Sequence, residues 1–244
     1  MNKMMKYAVL ILLLCAIVQP AVMAQDSSNT QGEVPATVPA DSNKARNNSD
    51  NRIYALAMRY NDASVAKIKL YELMERNPNN LSYPETLASL YFEMEQYGSS
   101  ALVALDILER NDKSLVGLEV AAFSLEQLGA LERALPHFES LHLLSGDLFS
   151  LYKTSYLQYS LKKYEEALNS VNMLIKDKKA AEQNLNFPKE DNTMQEVSMV
   201  AAAQNLKGLI YKDQGSSAEA RTAFEEALAL NPEFELAKEN LADL

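Results

Sequence analysis

The chain has 244 residues, 48% of them hydrophobic and 23% charged, with only seven glycines and eight prolines; this suits a folded helical protein and excludes a wholly disordered one. Its net charge of −10 opposes binding to a phosphate backbone or an anionic lipid surface, so neither nucleic acid nor membrane is an expected partner. The one cysteine, Cys15, lies in an apolar leader, so a chain cut after Ala24 carries no thiol, no disulfide and no cysteine-based metal site.

Residues 1–24 read as a signal peptide: Lys3 and Lys6 precede an unbroken apolar run over residues 8–18, and Val22-Met23-Ala24 offers small residues for cleavage. The run is far short of the ~20 apolar residues that a membrane span needs, and Pro20 breaks any continuation of it. Leu12-Leu13-Leu14-Cys15 offers a lipid anchor as a second reading; Leu14, where lipoprotein signals carry a small residue, and the apolar continuation to Val18 stand against it. The leader implies export, to the periplasm in preference to external secretion, with no stable membrane insertion after cleavage. Residues 25–48 are polar, contain Pro35 and Pro39, and are expected to form a disordered linker. Asn47-Asn48-Ser49 and Asn80-Leu81-Ser82 match glycosylation sequons.

From residue 49 the chain repeats itself. Ala66, Ala101, Ala134, Ala167 and Ala220 each open a similar stripe, followed four residues on by Leu70, Leu105, Phe138, Val171 and Phe224, and seven on by Leu73, Leu108, Leu141, Leu174 and Ala227. The intervals of 35, 33, 33 and 53 residues describe a period of about 34, with an insertion before the last copy. Five helical hairpins are predicted, over about 49–80, 82–114, 115–147, 148–180 and 201–234, with an insertion over about 180–199 and a capping helix over 235–244. Turn chemistry supports the register: Asn77-Pro78 and Asn231-Pro232 stop helices, Gly129 separates the third pair, Lys162-Lys163-Tyr164 marks the fourth turn, and Ser82 with Glu85 forms a capping box. Tyr54 stands where the fifth copy has Gly208, which argues against close helix approach in the first copy. The insertion reads as two lengthened helices, one ending at Phe187-Pro188 and the next starting at Thr193 with Glu196 in a capping box. Its bland reading is a tolerated insertion; the alternative is a contact element with Phe187 as its exposed apolar residue.

The last copy is the most regular. Leu206, Leu209 and Ile210, then Ala220, Ala223, Phe224, Ala227 and Leu228, give each helix one apolar stripe, with Gly215 and the Ser216/Glu219 capping box between them. Gly208, Tyr211, Ala220, Phe224, Ala227 and Pro232 stand in the order and spacing of a tetratricopeptide repeat, so the segment resembles that family. It lacks the family tryptophan and has Lys207 where a leucine usually precedes the glycine. The resemblance implies an all-α, right-handed superhelical solenoid whose first helices line a concave groove for an extended peptide or a helix of another protein. Carried onto this chain, the implied groove residues are Tyr83, Leu90 and Met94, then Phe123 and Gln127, then Tyr152, Tyr156 and Tyr159, then Asn205, Leu209 and Lys212. Tyr152, Tyr156 and Tyr159 share one side of a helix, a row that fits either a recognition surface or packing against the next hairpin. Some family members clamp a C-terminal carboxylate with Lys and Asn; the matching positions here hold Ala55, Leu90, Phe123, Tyr156 and Leu209, which points instead to an apolar or aromatic peptide.

Catalytic chemistry has no visible carrier. His137 and His142 are five residues apart, about 140° around a helix, and do not share one face. Glu165-Glu166 and Glu225-Glu226 flank apolar stripes as solvated faces, and no phosphate loop, nucleophile elbow or paired-cysteine motif is present. The sequence therefore reads as a non-enzymatic envelope adaptor with no cofactor and no metal. A self-associating structural protein is the alternative, and the oligomeric state stays open.

Overall fold

The computed structural model describes residues 40–191 and 193–244; the predicted signal peptide and most of the predicted linker lie outside them. Eleven helices follow one another: α1 Ala40–Arg59, α2 Ala63–Arg76, α3 Ser82–Glu93, α4 Tyr97–Arg110, α5 Leu115–Gln127, α6 Leu131–Ser145, α7 Leu148–Ser160, α8 Tyr164–Lys176, α9 Met199–Asp213, α10 Ser217–Leu230 and α11 Glu235–Ala242. Each packs on its neighbour in sequence. They form five antiparallel hairpins, closed at the C-terminal end by α11, an all-α solenoid.

The five intra-hairpin turns are built alike. Asn61, Glu95, Gly129, Lys162 and Gly215 adopt left-handed φ of 57°, 57°, 72°, 59° and 78°. In each, the following N–H donates to the carbonyl five residues back: Asp62 to Ala57 (2.8 Å), Gln96 to Tyr91 (2.9 Å), Ala130 to Leu125 (2.9 Å), Lys163 to Gln158 (2.8 Å) and Ser216 to Tyr211 (2.9 Å). These are Schellman closures, which satisfy carbonyls that a helix end leaves free. The capping box predicted at the start of α10 does not form, since Ser216 makes no side-chain cap bond. Lys162 is exposed and holds a conformation that disfavours a Cβ. Lys162→Gly is therefore expected to stabilise by about 0.5–1 kcal/mol, net of glycine's greater chain entropy, and to raise the calorimetric Tm by roughly 2–4 °C.

The turns fix a register that differs from the sequence reading in one copy. Their intervals are 34, 34, 33 and 53 residues, so Ser100, and not Ala101, is the equivalent of Ala220. Both are buried. Ser100 Oγ donates to the Ala88 carbonyl (2.8 Å) and accepts from Ser124 Oγ (2.9 Å), a buried polar contact that sets the spacing of α3, α4 and α5. Seven residues before each left-handed turn stand Tyr54, Ala88, Ala122, Ser155 and Gly208, small in every copy but the first. Tyr54 is half-buried against the cluster of Ala57, Ala66, Leu70, Leu87 and Leu90.

Two further expectations are corrected. α1 begins at Ala40, inside the predicted linker, because its polar N-terminal half has partners on α2. Arg76 donates through Nε to Asn47 Oδ1 (3.0 Å) and pairs with Asp50, while Asn47 Nδ2 donates to Asn77 Oδ1 (2.8 Å). The Asn47 sequon is thus an engaged helical amide. The insertion is a β-hairpin and not two lengthened helices: β1 Asn184–Pro188 pairs antiparallel with β2 Met194–Ser198, with buried Leu185 opposite buried Val197. Alternate residues face inward, as a half-buried ribbon requires. Phe187 is half-buried and meets the Phe234 ring at 5.1 Å, so it is not the exposed contact residue expected of it. The cap of α9 is Ser198, whose Oγ accepts from the Ala201 N–H (3.1 Å), in place of the predicted Thr193.

Candidate peptide-binding groove

First helices of neighbouring hairpins touch directly, α3 on α5 and α7 on α9, so they form the tighter, inner side of the stack. The turn register decides which side chains point there. Three residues before each left-handed turn lie Met58, Phe92, Glu126, Tyr159 and Lys212; six before lie Ala55, Ser89, Phe123, Tyr156 and Leu209. These positions share a helix face.

Between α3 and α5 they open a cleft of about 260 Å³, lined by Ser89, Phe92, Glu93, Val116, Glu119, Val120 and Phe123. Its walls are mostly apolar, with two carboxylates at hand. An aromatic row runs along it: Phe92 lies 6.4 Å from Phe123, and Phe123 stacks on Phe149 at 6.2 Å with planes 18° apart. Phe123 is anchored from behind by an edge contact to buried Phe138 at 4.9 Å. Lys153 spans the next hairpin junction, 2.5 Å from Glu126 Oε1 and 5.7 Å from the Phe123 centroid. The ammonium near the ring and the carboxylate beside it hold Phe123 at the wall of the cleft.

The residues implied by resemblance are distributed unevenly over this surface. Phe123 lies on the cleft, Gln127 is exposed at the end of α5, and Leu209 and Lys212 are half-buried on α9. Leu90 is a correction: it is a core residue packed with Leu70 and Leu87, and Tyr83 and Met94 pack against the same cluster. One residue of register rotates a helical side chain by about 100°, so Ser89 and Phe92 take the places that the Ala101 alignment gave to Leu90 and its neighbours. Asn205 is a second correction, since it is buried and its Oδ1 accepts from Asn240 Nδ2 of α11 (2.9 Å).

The tyrosine row divides. Tyr152 and Tyr159 are half-buried against the core of the fourth and fifth hairpins, and Tyr156 is 43% exposed. Burial pushes the Tyr152 phenol up, with Tyr156 adding to it, and pushes Tyr159 up to about 12, with Asp213 adding to it. Both remain neutral hydroxyls. Sequence reasoning missed Phe92, Val116, Glu119 and Phe149; the 34-residue step from Gly129 back to Glu95 would have found Phe92.

Comparison with known proteins agrees with this geometry. The family described as "Tetratricopeptide repeat" matches residues 201–234. No curated protein matches the chain by sequence. Among solved structures, the MamA protein superimposes with a TM-score of 0.61 at 14% identity, covering 82% of this chain and 96% of that one. MamA from Desulfovibrio magneticus, residue 41 to its end, gives 0.59 at 11%, covering 78% and 97%. A tetratricopeptide repeat protein from Parabacteroides merdae gives 0.61 at 16%, covering 82% and 72%. At these identities the likeness is one of fold. Residues 201–234 carry the tetratricopeptide-repeat pattern, and four further hairpins repeat its fold.

Proposed function

We propose that the protein is a non-enzymatic interaction scaffold of the cell envelope that holds an apolar or aromatic segment of another protein, as an extended peptide or a helix, in the groove along α3, α5 and α7. The observation that carries this reading is the Phe92–Phe123–Phe149 row, presented on the inner side next to an open apolar cleft. Phe149 is exposed although it is large and apolar, and Tyr156 stands exposed two helical turns further along α7. Rigid aromatic side chains of this kind supply most of the energy in peptide recognition. Export rests on the leader described above; among the described residues no helix is long and apolar enough to cross a membrane.

The test is affinity capture from envelope extract with the wild type and with Phe149→Ala/Tyr156→Ala, followed by titration of the captured partner. Both positions are exposed, so the variant keeps its fold, which circular dichroism checks. The expected result is at least about a tenfold loss of affinity, as for removal of interface aromatics. A partner bound equally well by the variant would remove the groove from the reading.

A further inference from the structure

The two ends of the stack differ. Five residues before each left-handed turn, the first helices carry Leu56, Leu90, Ser124, Leu157 and Ile210. The last four are 4%, 0%, 0% and 0% exposed, whereas Leu56 is 46% exposed. The later copies are covered by the second helix of the hairpin before them, α2 on α3, α4 on α5, α6 on α7 and α8 on α9. No described helix precedes α1, so a position built for burial faces outward. Leu56 also lies in a single helical stripe with Arg52, Arg59 and Tyr60, all exposed, Tyr60 at 74%.

Charge is divided the same way. Residues 43–80 carry seven Lys and Arg against four Asp and Glu, while residues 81–244 carry fourteen against twenty-six. At the other end, α11 presents exposed Leu236, Glu239 and Asp243 in one stripe; its one base, Lys238, is paired with Glu233 at 2.9 Å. An apolar stripe flanked by arginines at one end thus matches an exposed leucine flanked by carboxylates at the other.

We propose that the N-terminal stripe of α1 is a docking surface for the α11 end of a second copy of this chain, so that the solenoid associates head to tail. Pairing two N-terminal ends would bring Arg52 and Arg59 of both copies together, and pairing two C-terminal ends would do the same with Glu239 and Asp243; like charges in contact select against both. A head-to-tail contact is heterologous and joins successive copies without closing at a dimer. This goes beyond the groove, which it leaves free.

The test is sedimentation velocity on the full chain and two charge-reversed variants, Arg52→Glu/Arg59→Glu and Glu239→Arg/Asp243→Arg. All four positions are exposed, so each variant retains its circular dichroism. The wild type is expected to show a weight-average mass that climbs past that of a dimer with concentration and falls as salt is raised. Each variant alone should lose that climb, and an equimolar mixture of the two should recover it, since each supplies the end that the other now complements. Leu56→Asp, in which the acidic end is intact, should also lose it. The proposal is overturned by a wild type that stays monomeric, by assembly that neither variant reduces, or by a closed dimer that persists in the Glu239→Arg/Asp243→Arg variant and marks α1 pairing with α1.

Discussion

Phe224→Ala is expected to destabilise the protein by about 3–5 kcal/mol, the range for a fully buried phenylalanine, and Gly208→Ala by about 1–3 kcal/mol through overpacking. Phe224 is wholly buried, and a Cβ on Gly208 would lie 2.8 Å from its Cζ and nearer still to Cε1 and Cδ1. The ring lies across the glycine and leaves no room for a methyl group. The double variant is the informative one. With the ring gone, the methyl group added at Gly208 no longer clashes and fills part of the cavity, so the double cost should fall short of the summed single costs by about 1–2 kcal/mol. Urea denaturation of the four proteins measures this. Additive costs would mean that α9 and α10 can shift apart, and that Gly208 does not set their distance.

Asp50→Asn is expected to cost about 2–4 kcal/mol, somewhat less than the ~3–5 kcal/mol for breaking a fully buried ion pair, because solvent reaches its edge. Asp50 joins α1 to α2 by pairing with Arg76 and, at 3.1 Å, with Lys69. Burial alone would raise its carboxyl pKa; the hydrogen bonds from Lys69 and Arg76, with their charges, outweigh it and hold the group below the ordinary 3.8. A folded-state pKa below the unfolded one gives stability that is fully present above about pH 4 and lost as pH falls through the lowered value. The gap between wild type and Asp50→Asn should therefore be constant from neutral pH to about pH 5 and narrow below pH 4. A gap independent of pH would show that the asparagine loses packing and not charge.

The hairpin count and most of the register were legible in the sequence because burial recurs there with the same chemistry. Ala66, Ala134, Ala167 and Ala220 sit where helices meet, and all are wholly buried. The slip in the second copy came from two small neighbours, Ser100 and Ala101, both buried. A hydrophobicity pattern prefers the alanine; the buried hydrogen bonds of Ser100 choose the serine. That single residue moved the inner-face position of α3 from Ser89 to Leu90, which is why the residues expected to line the groove on α3 fall in its core. The insertion was opaque for another reason. Its strands are five residues each, too few for a period of two to stand out against Phe187-Pro188 as a helix stop. The early start of α1 had no local signal, since a stretch as polar as Asn47-Asn48-Ser49-Asp50-Asn51 is ordered by partners on α2.

The β-hairpin changes how strongly the two halves of the stack hold together. In a plain array each unit is stabilised only by the next, and an end can fray without disturbing the rest. Here the ribbon reaches past its own junction: Phe187 rests on Phe234, and Lys189 lies 3.6 Å from Glu235, at the start of α11. One continuous core accordingly runs from Leu148 to Ala237, whereas the first three hairpins are divided among smaller clusters. The fourth and fifth hairpins with α11 thus share one core and are expected to open together, after the earlier hairpins, in amide hydrogen exchange.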